Sequence, residues 1–110
     1  MSPHAVFITH RTKAGKRPDA EAVWNRIMKP AIIANPHHLA YVYALPEDEP
    51  DVIRAFQLYR SSDEATAFLL TPEYLEYADA VREHLDGPPH VAAATAVWVK
   101  PGSADVHDLH

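Results

Sequence analysis

The chain has no cysteine, which removes disulfides, thiolate nucleophiles, Fe–S clusters and zinc–thiolate sites together. Only three glycines occur, Gly15, Gly87 and Gly102, and none stands in the G-x-G arrangement of a phosphate-cradling loop. Positive charge is also scarce: 10 Lys and Arg face 15 Asp and Glu, a formal net charge of -5. Nucleic-acid binding depends on neutralising phosphates, so this balance speaks against it. The one basic cluster, HRTKAGKR at residues 10–17, reads as a solvated turn. No apolar run approaches the roughly 18 residues of a membrane helix. The opening MSPHAVFITH lacks the charged n-region and long apolar stretch of a signal peptide. The expectation is a soluble cytoplasmic protein with neither membrane nor nucleic acid as partner.

What is present is enough apolar material for one core. At 110 residues, with 47% hydrophobic and 23% charged, the chain should fold as a single domain over residues 1–100, leaving 101–110 as a tail without periodicity. Residues 4–11 (HAVFITHR) are rich in β-branched and aromatic side chains and read as a first strand. A helix start follows at Pro18-Asp19. Val23, Trp24, Ile27, Met28 and Ala31 then recur at helical spacing, with Pro30 predicting a kink and Asn35-Pro36 an end. Residues 39–45 (LAYVYAL) and 52–60 read as two strands joined by the acidic loop PEDEPD, an antiparallel hairpin. Ser61, with Glu64 three residues on, has capping-box spacing. Thr71 followed by Pro72 starts a second helix at once, which Gly87-Pro88-Pro89 ends. Residues 90–100 (HVAAATAVWVK) give the last strand.

The order β-α-β-β-α-β is the ferredoxin-like arrangement, an α+β fold with a four-stranded antiparallel sheet and the helices on one face. Two helices cover one side only. Yet both parities of the strands are apolar, Val6 and Ile8 against Ala5 and Phe7, Val97 and Val99 against Ala96 and Trp98. The exposed side needs a second cover, and another copy of the chain packed sheet to sheet predicts a homodimer.

Eight histidines invite a metal reading, but none forms an H-x-x-x-H pair or sits at ligand spacing from a carboxylate. No metal site is expected. His37 and His38 are adjacent in a turn and read as solvated. His10 differs, because it ends the first strand on the parity of Val6 and Ile8. A neutral imidazole beside an apolar cavity could act as a general base. On a helical wheel Tyr74, Ala78, Val81 and Leu85 share a stripe, with Tyr77 and His84 together on its flank. With Phe68, Trp24, Tyr41, Tyr43 and Tyr59 they make a large aromatic supply, suited to walling a pocket for a flat ligand.

The segment AFQLYRSSDEATAFLLTPEYLEY at residues 55–77, with its order of strand, Ser-x-x-Glu-Ala, aromatic and Thr-Pro-x-Tyr, resembles the antibiotic biosynthesis monooxygenase family. The first strand VFITHRTKAGK and the closing TAVWVK extend the likeness over nearly the whole chain. The resemblance implies a dimeric α+β barrel and an oxidoreductase that reacts a small phenolic or quinol-type molecule with O2, without metal or flavin. The family's Asn, Trp and Tyr of the anthrone-oxidising type fall here on Glu64, Phe68 and Tyr74, so the tyrosine alone matches. The Asn, Trp and helical His of the haem-degrading type fall on His10, Phe68 and Ala78. Ala78 offers no axial ligand, so no haem is expected. The resulting candidates are His10 and Tyr74 as catalytic groups and Trp24, Phe68, Tyr77 and His84 as substrate-binding groups, with no cofactor. The alternatives are a non-catalytic dimeric barrel binding a small apolar ligand, and a cofactor-free isomerase or lyase using the same pocket.

Overall fold

A computed structural model describes residues 3–101. The expected tail lies almost wholly outside them. Four strands, β1 (His4–Arg11), β2 (His38–Ala44), β3 (Val52–Tyr59) and β4 (His90–Thr95), form one antiparallel sheet in the order β2-β3-β1-β4. The helices lie over one face: α1 (Arg17–Val23), α2 (Lys29–Ala34), α3 (Ser62–Phe68) and α4 (Pro72–Val81). This is the ferredoxin-like α+β fold read from the sequence.

Local chemistry explains the helix boundaries. The kink expected at Pro30 is a wide π turn over Trp24–Met28, in which Lys29 N–H donates to the Trp24 carbonyl. Proline has no N–H for the ladder and its ring crowds the preceding turn, and the widened turn absorbs both. Ser61 caps α3 by accepting from Glu64 N at 3.2 Å, and Thr71 caps α4 by accepting from Tyr74 N at 3.2 Å. The second arm of the expected capping box is not made. The Glu64 carboxylate turns instead to His37 Nε2 at 3.2 Å.

Three further expectations are corrected. Strand β4 stops at Thr95, opposite His4 of β1, rather than at Lys100, and Ala96 N donates once more to the Pro3 carbonyl at 3.0 Å. Helix α4 stops at Val81 and continues as a tight 3-10 turn over Arg82–His84, so a wheel at 100° per residue does not apply to His84. The basic turn is exposed at Arg11 and at residues 13–16, as expected, but not at Thr12 and Arg17. Thr12 is buried, Arg17 donates to the Glu49 and Val52 carbonyls at 3.0 and 3.3 Å, and Gly15 N, at a φ of 74° open to glycine, donates to Asp51 Oδ1 at 3.0 Å. The acidic β2–β3 loop is thereby tied to the end of β1.

The main core lies between sheet and helices and gathers Val23, Ile27, Met28, Ile53, Tyr59, Phe68, Tyr77 and Val81. A second, thinner cluster on the opposite face centres on Ala5 and Leu58, with Leu39, Ala40, Phe56, Ala96 and Val99 against it. That outer face stays open. Phe7 is 49% exposed beside Phe56, at 5.2 Å between ring centroids, and Trp98 is 75% exposed.

Candidate active site

A cavity of about 230 Å³ opens between the sheet and helices α3 and α4. Alternation along the strands decides what reaches it. From β1 come Val6, Ile8 and His10, from β2 Tyr41 and Tyr43, from β3 Gln57 and Tyr59, and from β4 Val91 and Ala93. Helix α3 delivers Phe68, and the Thr71 cap sets the angle at which α4 brings in Tyr74 and Tyr77. The rings of Phe68 and Tyr74 lie 6.0 Å apart and those of Tyr74 and Tyr77 6.3 Å apart, within the range of favourable aromatic pairing. Among the described lining residues no Lys, Arg, Asp or Glu occurs.

Burial sets the protonation states. It holds His10 below the usual histidine value of 6.5, so the imidazole is neutral near pH 7. His10 Nδ1 is buried without a hydrogen-bond partner, as is the Tyr43 hydroxyl. Burial pushes the Tyr41 phenol up to about 12, against the opposing effect of its bond from Trp24, and it raises Tyr74, Tyr77, Tyr43 and Tyr59 as well. These phenols stay protonated at neutral pH.

The candidates divide by place. His10, Phe68, Tyr74 and Tyr77 meet around the cavity, whereas Trp24 and His84 do not line it. Trp24 stacks on Tyr43 at 4.1 Å and donates from Nε1 to the Tyr41 hydroxyl at 3.3 Å, so it buttresses the two strand tyrosines from behind. His84 lies on the 3-10 turn with Nε2 at 3.5 Å from Glu83.

Sequence reasoning passed over a polar chain behind the aromatic wall. His38 is not a solvated turn residue: it opens β2, its ring centroid 4.3 Å from Tyr59 and edge-on to Phe68 at 4.6 Å. Its Nδ1 meets Asn35 Nδ2 at 2.9 Å and its Nε2 meets Gln57 Oε1 at 3.3 Å. Tyr59 also donates to Gln57 Oε1, which leaves that buried amide oxygen well satisfied. Burial lowers the His38 pKa, while the bond to Gln57 works the other way. The signal available was Gln57 itself, a polar residue on the parity of Ile53, Ala55 and Tyr59.

Comparison with known proteins bears on the family and the fold. The model of the antibiotic biosynthesis monooxygenase family matches residues 3–80. The chain belongs to that family. No curated protein sequence matches it. Among solved structures, Rv0793 from Mycobacterium tuberculosis is 23% identical with a TM-score of 0.79, over 90% of this chain and 99% of that one. A Caulobacter crescentus protein provisionally named an antibiotic biosynthesis monooxygenase is 21% identical with a TM-score of 0.82, covering 88% and 92%. A variant of SnoaB, a cofactor-independent oxygenase from Streptomyces nogalater, is 16% identical with a TM-score of 0.77, covering 92% and 99%. These likenesses establish the fold. Among the described residues no group of three or more His, Cys, Asp or Glu could hold a metal, and no helix is long and apolar enough to cross a membrane.

Proposed function

We propose that this member of the antibiotic biosynthesis monooxygenase family is a cofactor-independent monooxygenase acting with O2 on a small aromatic, phenolic or quinol-type molecule. The observation that carries the reading is His10: an imidazole that burial keeps neutral, lining an aromatic cavity with no Lys, Arg, Asp or Glu among its described lining residues. The oxygenase class is supported by the family match and by the likeness to SnoaB. A neutral imidazole carries one nitrogen lone pair able to take an acidic C–H or O–H proton from a bound ligand. The electron-rich anion then reacts with O2, giving a peroxide that loses water. A ring methylene thereby becomes a carbonyl: one atom of O2 stays on the carbon, and the other leaves as water with the two methylene hydrogens. Four electrons leave the carbon and four enter O2, so no further reductant is needed. The phenol of Tyr74, held protonated, orients the ligand, and Phe68 and Tyr77 supply apolar walls that keep water from the intermediate.

The same reading includes a homodimer. Ala5, Phe7, Phe56, Leu58, Ala94 and Trp98 line one groove on the outer face of the sheet, where no helix of the described residues lies. A second copy packed there would bury the aromatic pair and Trp98.

Oxygen uptake with a panel of quinols and anthrones tests the proposal. One O2 consumed per molecule oxidised is expected, with His10→Ala about 10²- to 10⁴-fold slower and Tyr74→Phe slowed less, both with native circular dichroism. No uptake with any of the panel sinks the oxygenase reading. Wild-type rates in both variants would instead sink the assigned roles.

A further inference from the structure

The hydrogen bonds behind the cavity have a direction that one backbone amide imposes. His37 N–H can only donate, and it does so to Asn35 Oδ1 at 3.3 Å. That fixes the Asn35 amide, so the group meeting His38 Nδ1 at 2.9 Å is the donor Nδ2. His38 Nδ1 is then an acceptor, its proton sits on Nε2, and Nε2–H donates to Gln57 Oε1. The Tyr59 hydroxyl donates to the same oxygen. Gln57 Oε1 is therefore committed to the interior, and its Nε2, a donor with no partner among the described residues, is the part left for the cavity that Gln57 lines. Tyr41 is set in the same way. The indole of Trp24 has only a proton to give, so the Tyr41 oxygen accepts it, and no acceptor among the described residues takes the Tyr41 hydrogen. Tyr41 and Gln57 stand directly opposite each other across β2 and β3, and both line the cavity.

Two fixed, neutral donors thus meet one apolar cavity with no lysine or arginine among its described lining residues. We infer that the Tyr41 hydroxyl and the Gln57 side-chain amide hold the ionised phenolic or enolic oxygen of the ligand, so that the site selects molecules able to carry negative charge on oxygen. The inference rests on the proposed oxygenase reading and names the ligand class for that site. Hydrogen bonds to a charged oxygen favour its ionised form, and water exclusion makes them count for more than they would in bulk solvent. The register adds a second constraint. Val6 lies level with Gln57, and His10 follows four residues along β1, roughly 13 Å at about 3.3 Å per residue. The base and the oxygen hold therefore stand toward opposite ends of the cavity. A ligand satisfying both has its acidic proton and its charge-bearing oxygen joined through a conjugated ring, so that charge released near His10 appears on the oxygen near Gln57.

The probe 4-nitrophenol tests the donor pair without turnover, because its visible absorbance reports ionisation directly. Wild-type protein, Tyr41→Phe and Gln57→Glu are titrated with it across pH, with folding followed by circular dichroism. Tyr41→Phe keeps the ring and removes one donor. Gln57→Glu keeps an acceptor for Tyr59 and His38 but replaces the cavity-facing amide with a carboxylate oxygen. The bound probe should ionise at a pH about one unit higher in each variant than in the wild type, a loss of about tenfold in preference for the phenolate. Equal ionisation in all three proteins overturns the donor pair while leaving the cavity as a ligand site. Absence of binding of either form to the wild type overturns the pair together with the site on which it rests.

Discussion

Replacing Phe7 with aspartate should turn the proposed dimer into a folded monomer. Phe7 sits mid-strand on the outer face, 49% exposed, and pairs across the sheet with Phe56 at 5.2 Å between ring centroids. Within one protomer the change removes an aromatic pair worth about 0.5–1.5 kcal/mol and a side chain only half withdrawn from water, so it should cost about 1–2 kcal/mol. In a dimer packed through this face the cost is larger. Burying the remaining half of each Phe7 contributes about 1 kcal/mol per protomer, and each aspartate brings a desolvation penalty of several kcal/mol against its symmetry mate. The total of at least about 6 kcal/mol corresponds to more than about 10⁴-fold in Kd. Sedimentation equilibrium at micromolar protein should show a wild-type dimer and a monomeric Phe7→Asp, with urea unfolding still cooperative. A wild-type monomer under these conditions, or a variant dimerising with unchanged Kd, would refute the assignment of this face.

Phe68→Ala should lower stability in urea unfolding by about 3–5 kcal/mol, because Phe68 is buried against His38 and Tyr74 beside an existing cavity, and a loss under about 1 kcal/mol would deny it that packing. Stability should also fall on acidification: burial lowers both His10 and His38 in the folded state, so their contribution is full above the unfolded value of 6.5 and is lost as pH drops through the folded values. Urea midpoints of wild type and of a His10→Ala, His38→Phe double variant, compared at neutral and mildly acidic pH, should diverge in pH slope, and parallel slopes would exclude these two residues as the cause.

The fold was legible because its signals are local. Strands β1, β2 and β3 are short runs rich in branched and aromatic residues, and the helix starts at Ser61 and Thr71 and the break at Pro30 announce themselves within a turn. The errors came where an element depended on a distant partner. Residues 96–100 have strand composition, but the ladder with β1 ends where Thr95 meets His4, and nothing in their own sequence says so. Likewise the basic turn is polar by composition, yet Arg17 and Gly15 are engaged by a loop more than thirty residues away.

The candidate site shows the same division most sharply at His38. Strict alternation from Tyr41 and Tyr43, which face the cavity, would turn His38 to the opposite side of the sheet. The register of β2 against β3 slips between His38 and Ala40, so that His38 lies opposite Tyr59 while Ala40 lies opposite Leu58. One extra residue inverts the parity, which is what a bulge does to every side chain beyond it. His38 is thereby carried to the helix side, where it can reach Gln57 from one nitrogen and Asn35 from the other. Gln57 and Asn35 are far apart in sequence, so Gln57 could flag a buried polar group but not the partners that meet it. Parity could have shown that Gln57 faces the cavity, but which end of its amide it presents depends on the side on which His38 lies. Deleting Leu39 would leave His38 two positions from Tyr41, on the same face by plain alternation, so the Gln57 amide should keep its orientation without the bulge. Bound 4-nitrophenol should then ionise at the wild-type pH, and ionisation at a higher pH in the folded deletion variant would show that the extra residue does more than set the side on which His38 lies.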